Sequence, residues 1–233
     1  MLISLHLPKT AGTSFLALLE AYFGASLLRD YADRPINRGA FERRLRALGR
    51  AVRQAVPERR LRGIQCIHGH FLPLKYAPLA RRCGGRYVVW LRDPVERLAS
   101  HYHYWQRSYE PAQAGRLHRR VVEEDWTLER FCLAPELRNL YSAFLWGFPL
   151  RRFDFIGITE YYDDDVRAFA RRFLGDAPAM PVACNRNRAR GHGSPPSPYI
   201  DDPAFRAHIE AYHARDVALY RQALAARAAR PGQ

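Results

Sequence analysis

Residues 2–14 read LISLHLPKTAGTS. The apolar run at 2–7 predicts a short buried strand, and the apolar spacing over 13–23 predicts a mostly buried helix. Between them lies a loop of small and hydroxyl-bearing residues around Gly12. Such an arrangement points loop N–H groups and the positive end of the helix dipole at one place, where a phosphate can bind. The segment therefore predicts an α/β protein with an anion site after its first strand.

The side chains of this loop also suit an anion. Lys9 supplies a point charge, and Thr10, Thr13 and Ser14 supply hydroxyl donors. The nucleotide-kinase pattern GxxxxGK[ST] is absent, because here the lysine precedes Gly12. The loop is thus either a phosphate loop of another type or an ordinary capped turn. A lysine in an arginine-dominated chain favours the first interpretation.

The rest of the chain alternates predicted strands with predicted helices. Further strands are predicted at 64–67, 86–91 and 153–158. Helices are predicted over 41–56, after Asp93, from Asp163 and over 203–228, with an irregular basic loop at 175–203 as a candidate lid. This alternation predicts an α/β fold with a central parallel sheet.

A polar segment follows each of the first three predicted strands. PKTAGTS follows the first, His68-Gly69-His70 the second, and RDPVER at 92–97 the third. Ligands bind beyond the carboxyl ends of the strands in such sheets. We therefore expect these segments to converge on one site.

The third segment also contains a helix start. Asp93 is the predicted N-cap, Pro94 the first helical residue and Glu96 the capping-box partner. Taken alone, the segment fits a helix cap with a surface ion pair as well as it fits a ligand site.

His68 and His70 are two residues apart at a strand end, which puts both rings on one side. Beside a phosphate loop, they are candidates for acid–base chemistry. Two alternatives remain open. Either ring could be structural, or the two could form a metal pair with His101 or His103 as a third ligand.

The charge balance is strongly basic. Lysine and arginine total 37 against 23 acidic residues, a net charge of +14, and only Lys9 and Lys75 are lysines. Such a surface attracts nucleic acid, acidic glycans, nucleotides or membrane surfaces, and charge alone does not choose among them. An arginine-rich proteome would produce the same excess.

Several classes are excluded or disfavoured by composition. No run approaches the ~18 apolar residues of a membrane span, and no secretory signal is present. The four cysteines, Cys66, Cys83, Cys132 and Cys184, lie at no metal-binding or disulfide-framework spacing. We therefore expect free thiols and a cytoplasmic location.

Four blocks taken together resemble the carbohydrate sulfotransferases. They are HLPKTAGTS at 6–14, HGHF at 68–71, VVWLRDPVERLASHYHYW at 88–105 and FIGITEYYDD at 155–164. The resemblance is closest to the branch of the heparan sulfate and uronyl 2-O-sulfotransferases and their bacterial relatives. It implies a P-loop-like three-layer fold in a single sulfotransferase domain over 1–233.

The resemblance also implies a reaction and its residues. The co-substrate would be 3′-phosphoadenosine 5′-phosphosulfate, and no metal is expected. Its 3′-phosphate would be held by Arg92 and Ser100. The catalytic residues would be His70 as general base, with His68 as its support or substitute, and Lys9 at the leaving oxygen. The residues expected to hold the 5′-phosphosulfate are Pro8, Lys9, Thr10, Ala11, Gly12, Thr13 and Ser14.

Other regions match less closely. The basic loop carries Arg186 and Arg188, which we expect to fold over the donor. The segment 106–138, where relatives build much of the acceptor site, diverges, and Asn139 lies in a weakly matching stretch. The predicted acceptor is a hydroxyl compound, most simply a saccharide, and an anionic one would suit the basic surface. The alternatives are a P-loop-type phosphotransferase and a basic nucleic-acid-binding protein, although no nucleic-acid-binding motif is present.

Overall fold

The computed structural model describes residues 1–54, 61–175 and 199–230. The strands are β1 (Leu2–Leu5), β2 (Leu27–Asp30), β3 (Cys66–Gly69), β4 (Arg86–Leu91) and β5 (Phe155–Ile158). They form one parallel sheet in the order β2-β3-β1-β4-β5. The predicted α/β class with a central parallel sheet is confirmed.

Helices connect and cover the strands. In the described residues they are α1 (Gly12–Phe23), α2 (Ala40–Gln54), α3 (Ala77–Cys83), α4 (Pro94–Arg107), α5 (Arg116–Glu123), α6 (Leu128–Cys132), α7 (Leu140–Phe144), α8 (Tyr162–Phe173), α9 (Pro203–Tyr212) and α10 (Ala214–Ala228).

Successive residues of β4 alternate between the two faces of the sheet. Val88 and Trp90 pack with α1 and α8, where the ring centroid of Phe15 lies 5.2 Å from that of Trp90. Val89 and Leu91 pack on the opposite face with residues of α3, α7 and α10. Helices therefore cover both faces in three layers, which explains why β4 is apolar on both sides.

The sequence pattern predicts no strand or helix over residues 27–30, where β2 lies. Its sequence, LLRD, is short and has no apolar run or alternation of apolar and polar residues. β2 lies at the edge of the sheet, and of its four residues only Asp30 is buried. The Asp30 carboxylate accepts hydrogen bonds from Lys75 Nζ at 2.5 Å and from Tyr76 Oη at 2.7 Å. This long-range pairing ties the edge strand to the segment before α3, and it leaves no local signal in the sequence.

Several predicted boundaries are wrong. β1 ends at Leu5, two residues earlier than predicted, β3 spans residues 66–69, two residues later, and β5 begins at Phe155 rather than at residue 153. The closing helix predicted over 203–228 is interrupted at His213. The His213 ring is buried, and its Nε2 donates to the carbonyl of Cys132 at 2.7 Å. This anchor turns the chain inward between α9 and α10.

The predicted N-cap of α4 is confirmed, but its capping box is not. The Asp93 carboxylate accepts from the N–H groups of Val95 and Glu96, both at 3.0 Å. The N–H of Asp93 donates to Glu160 Oε1 at 3.0 Å instead of to Glu96. Glu96 is drawn away because it accepts from Arg206 at 3.3 Å.

Three remaining predictions concern cysteines, membrane spans and the basic loop. Cys66 and Cys132 are buried free thiols, and Cys83 is an exposed one. Within the described ranges, no helix has both the length and the apolar character that crossing a bilayer requires. The candidate lid, with Arg186 and Arg188, and Cys184 lie outside the described residues.

Candidate active site

A cleft of about 2070 Å³ opens where the loops after β1, β3 and β4 meet. Its wall includes nine of the residues singled out in the sequence: Pro8, Lys9, Ala11, Gly12, Thr13, Ser14, His70, Arg92 and Ser100. Thr10 and His68 do not line it. Three sequence segments far apart in the chain thus form one site, at the sheet edge where the topology predicts it.

The loop after β1 is held in an unusual conformation. Lys9 has φ 65° and Ala11 has φ 62°, both in the left-handed region that residues other than glycine rarely adopt. Thr10 is buried, and its hydroxyl donates to the Leu7 carbonyl at 2.9 Å, which fixes the loop from beneath. Backbone strain of this kind, about 1–3 kcal/mol per residue, concentrates at functional sites.

Gly12 is required by a close contact. A Cβ atom at this position would lie 1.7 Å from Nε2 of His6. A side chain here would push the His6 ring away from the loop. The glycine therefore allows the start of α1 and the histidine ring to share the floor of the cleft.

The side chains of Lys9, Arg92 and Arg107 place positive charge together at the loop. Burial, and then the nearby guanidinium groups of Arg92 and Arg107, lower the pKa of Lys9 to about 8. The Lys9 ammonium also lies 3.8 Å from the ring centroid of Tyr104. Among the described residues, no carboxylate forms an ion pair with any of these three cations. An anionic ligand would therefore meet three cations that form no ion pair with a described carboxylate, although the Glu160 carboxylate lies close enough to Arg92 to interact with it electrostatically.

The tautomer of His70 follows from its hydrogen bond. Its Nδ1 lies 2.6 Å from the backbone carbonyl oxygen of His6. A carbonyl only accepts, so Nδ1 carries the hydrogen and Nε2 of the neutral ring is left as an acceptor. Burial lowers the pKa of His70 below 6.5, although the bond to His6 opposes the shift. The ring is thus held neutral, with one nitrogen able to take a proton.

His6 and Tyr31 are functional candidates that the sequence analysis did not identify. Both line the cleft, and Nδ1 of His6 lies 2.9 Å from the Tyr31 hydroxyl. The His6 and His70 rings are 4.4 Å apart between centroids. Burial, then the neighbouring histidines and Lys9, lower the pKa of His6 well below 6.5. The one available signal was its position near the end of the first predicted strand, two residues before the loop at 8–14.

His68 lies beneath this pair rather than in the cleft. It is 1% exposed, within β3, and its Nδ1 lies 2.8 Å from the Ser4 hydroxyl. Its ring stacks against His6 at 5.0 Å between centroids. Burial is the main cause that lowers its pKa to about 3. The position of His68 suits support of the His6 and His70 rings.

The segment after β4 contributes the opposite wall. The Tyr141 hydroxyl donates to the Arg92 carbonyl at 2.7 Å and accepts from its N–H at 3.1 Å, which fixes the backbone there. Ser100 lies two turns further along α4. Next to it, His101 is 3% exposed and lines the cleft, and its Nδ1 has no hydrogen-bond partner among the described residues.

The metal-pair alternative gains no support. Over residues 1–54, 61–175 and 199–230, no group of three histidine, cysteine or carboxylate side chains is arranged to hold a metal ion. His103 instead stacks against Tyr199 at 5.5 Å between ring centroids. The lining of the cleft combines cations, hydroxyls and a neutral histidine with the carboxylates of Asp93, Glu96, Glu160, Asp163, Asp164 and Asp201.

Comparison with known proteins assigns no family. No protein-family model matches the chain, and no curated protein matches it either.

Proposed function

We propose that the protein transfers a sulfuryl group from 3′-phosphoadenosine 5′-phosphosulfate to a hydroxyl of a saccharide. The observation that carries the proposal is the pairing, in one cleft, of an uncapped and strained anion loop with a histidine fixed in the acceptor tautomer. The four sequence blocks that resemble carbohydrate sulfotransferases support the same assignment.

The residues of the cleft fit such a donor. The open N–H groups at the start of α1, with Lys9, would bind the 5′-phosphosulfate. Arg92 and Ser100, on the other wall, would bind the 3′-phosphate. Because Lys9 and Arg92 form no ion pair with described residues, their charge is available to the ligand. When bound, the donor supplies a sulfuryl group on a bridging phosphate oxygen that leaves with the nucleotide.

The protein's own groups then act on charge and protons. Nε2 of His70 accepts the proton of the attacking hydroxyl, which contributes ~10²–10⁴ in rate for a well-placed base. The His6 carbonyl stabilises the imidazolium through Nδ1, 2.6 Å away. Lys9 and the loop N–H groups stabilise negative charge on the leaving oxygen. The ring of Tyr104 on the same wall is 45% exposed and offers an apolar surface for a sugar ring.

We also propose that the protein works in the cytoplasm, since its three described cysteines are free thiols and persistent thiols are typical of reducing compartments. A P-loop-type phosphotransferase remains the second candidate. It is disfavoured because the loop lacks the GK[ST] end that holds nucleoside triphosphates and their metal.

Two experiments test the proposal. The first measures how candidate ligands stabilise the protein, and the second measures transfer of the sulfuryl group to an acceptor. Thermal unfolding is measured with adenosine 3′,5′-bisphosphate, AMP, ATP with Mg²⁺ and a DNA duplex. A ligand at 100 times its Kd raises the free energy of unfolding by about 2.7 kcal/mol. Of the four ligands, we expect only the bisphosphate to do so. Radiolabelled donor with a panel of saccharide, lipid and phenolic acceptors then identifies the product.

Arg171→Ala, an exposed change on α8, is the matched control for Arg92→Ala. The control should keep the preference for bisphosphate over AMP, and Arg92→Ala should lose most of it. Stabilisation by ATP with Mg²⁺ but not by bisphosphate would replace this proposal with the phosphotransferase. Stabilisation by DNA alone would replace it with the nucleic-acid-binding protein.

A further inference from the structure

Helix α2 turns its most apolar side away from the protein. Phe41, Leu45, Leu48 and Val52 form one stripe at helical spacing, and they are 80%, 58%, 45% and 73% exposed. The opposite side of the helix carries Ala47, which is only 5% exposed. Amphipathic helices of globular proteins normally bury their apolar stripe in the core. In α2 that orientation is reversed, and the described part of the chain leaves the stripe uncovered.

Arginines occupy the polar side of α2. At 100° per residue, Arg44 lies along one edge of the apolar stripe, and Arg53 and Arg46 lie about 110–130° from its centre, beyond Glu42. All three are exposed. Arg44 lies over the ring of Trp146, 5.1 Å from its centroid, so an aromatic side chain is also at this surface. An exposed apolar stripe on a helix with an arginine-rich polar face is the pattern of helices that lie in a membrane interface.

A basic groove of about 710 Å³ begins beside the same helix and extends toward α5 and α7. Its one acidic lining residue in the described chain is Glu136. The arginines that line it are Arg38, Arg43, Arg44, Arg116, Arg120, Arg138 and Arg215. Arg120 pairs with Glu136 at 2.9 Å and Arg38 pairs with Glu42, whereas the other five form no ion pair with a described carboxylate. The surface next to the apolar stripe is therefore strongly attractive to anions.

We propose that α2 docks the protein on an anionic lipid surface. The apolar stripe enters the boundary between headgroups and acyl chains, and the groove and flanking arginines bind lipid phosphates. Each arginine near an anionic membrane surface adds to the attraction, and the cytoplasmic leaflet carries such lipids. This inference does not depend on the reaction proposed for the cleft.

Other occupants fit the surface less well. A nucleic acid or an acidic glycan would match the arginines but would leave the apolar stripe in water. A second copy of the chain would bring two sets of arginines together, and the nearby Glu42 is already paired with Arg38 and Arg46. Four apolar side chains are also few beside the roughly 20–30 residues per side of a stable protein interface.

The test is co-sedimentation of the full chain with vesicles. One set contains phosphatidylcholine alone, and the other contains phosphatidylcholine mixed with phosphatidylglycerol. We expect binding to the anionic vesicles and little to the neutral ones. The double variant Phe41→Ser/Val52→Ser should lose about tenfold or more in partition coefficient, because its apolar contact is removed. Arg44→Glu/Arg53→Glu should lose about as much through charge.

Matched controls lie elsewhere on the surface. Tyr22→Ser changes an exposed aromatic residue, 44% exposed, and Arg171→Glu an exposed charge; both should bind as the wild type does. Thermal melting checks that each variant folds, and the two α2 variants test the proposal independently. Absence of vesicle binding would overturn the proposal. So would binding that Phe41→Ser/Val52→Ser leaves unchanged, since that is adsorption through net charge alone.

Two further measurements identify a different occupant. Light scattering of the free protein would detect a dimer, and a dimer lost in Phe41→Ser/Val52→Ser would assign the stripe to a second copy. A DNA oligonucleotide that binds with an affinity unaffected by the same variant, while vesicles do not bind, would assign the basic groove to nucleic acid.

Discussion

The helices that follow β1 and β4 begin beside each other at one edge of the sheet, and their N-termini are completed in opposite ways. α4 is closed by its own sequence, because the Asp93 carboxylate accepts two of its free N–H groups and Arg206 pairs with Asp93 at 2.7 Å. α1 has no side-chain cap and no acidic residue in its first turn. The first terminus is satisfied within the protein, and the second is left for an anion.

The two starts also differ in backbone strain. The turn into α4 uses a proline at the first helical position, which suits the helix. The turn into α1 holds Lys9 and Ala11 in the left-handed region. A turn that only had to connect a strand and a helix would relieve this strain with glycine or asparagine. The contrast supports the proposal that α1 supplies backbone donors to a ligand, whereas the segment after β4 supplies side chains, with Arg92 just before α4 and Ser100 within it.

We expect the largest effect on turnover from changing His70, the proposed base beside the N-terminus of α1. His70→Ala should lower kcat by roughly 10²–10⁴, because Nε2 is the acceptor left free by the bond to His6. Adenosine bisphosphate should bind to the variant nearly as it does to the wild type. Transfer assays and calorimetric titration measure the two quantities.

His68→Ala serves as the comparison for His70→Ala. His68 does not line the cleft, so we expect this variant to lose stability more than turnover. A loss of turnover in His68→Ala with none in His70→Ala would reverse the two roles. Full activity in the double variant would remove histidine from the proton transfer.

We expect the next largest effect on turnover from changing Lys9. Lys9→Ala should lower kcat roughly 10²–10³-fold, the cost of removing one donor from a developing anion. Binding of adenosine bisphosphate should weaken less, since the loop N–H groups remain. Lys9→Met keeps an apolar side chain over Tyr104. Comparing it with Lys9→Ala therefore separates the effect of losing the charge from the effect of losing the packing. Equal losses in binding and turnover would show that Lys9 acts on the ground state.

The pH profile distinguishes the two groups at the open terminus. In the proposed reaction the neutral form of His70 is the active one, and burial lowers its pKa below 6.5. Activity should therefore rise with pH through that lowered pKa. The proposal also requires the charged form of Lys9, whose pKa is lowered to about 8, so activity should fall above that pH. We expect a bell-shaped dependence of kcat/KM, measured in constant-ionic-strength buffers.

The variant Lys9→Arg tests whether Lys9 causes the fall in activity at high pH. Arginine remains charged throughout the range, so any activity the variant keeps should retain the acid limb and lose the alkaline one. An alkaline limb that persists in Lys9→Arg belongs to another group.

How much of the site could be predicted depends on whether its determinants are local. The phosphate loop, the Asp93 cap and the converging segments follow local rules of turns, caps and parallel sheets, and the structure brings those segments together. His6 and Tyr31 were missed, because their contact with His70 depends on β1 and β2 both pairing with β3. Strand order is a long-range property, and the ion pair of Asp30 with Lys75 that fixes β2 spans 45 residues.

The smallest expected effect is on the closed terminus, and it tests whether α4 is structural. Asp93→Ala removes the cap of α4 and should lower the free energy of unfolding by about 1 kcal/mol, or roughly 2–4 °C in Tm. Binding of adenosine bisphosphate should change little, because the carboxylate's partners are the N–H groups of Val95 and Glu96 and the Arg206 guanidinium. Asp202→Ala is the matched control, because Asp202 caps α9 in the same way and does not line the cleft. A loss of stability in Asp93→Ala at least as large as in Asp202→Ala is expected, because Asp93 also pairs with Arg206. With affinity retained in both variants, this result would show that the cap of α4 serves the fold. A tenfold loss of affinity in Asp93→Ala alone would show that the terminus of α4 also takes part in binding, and the contrast between the two helices would not hold.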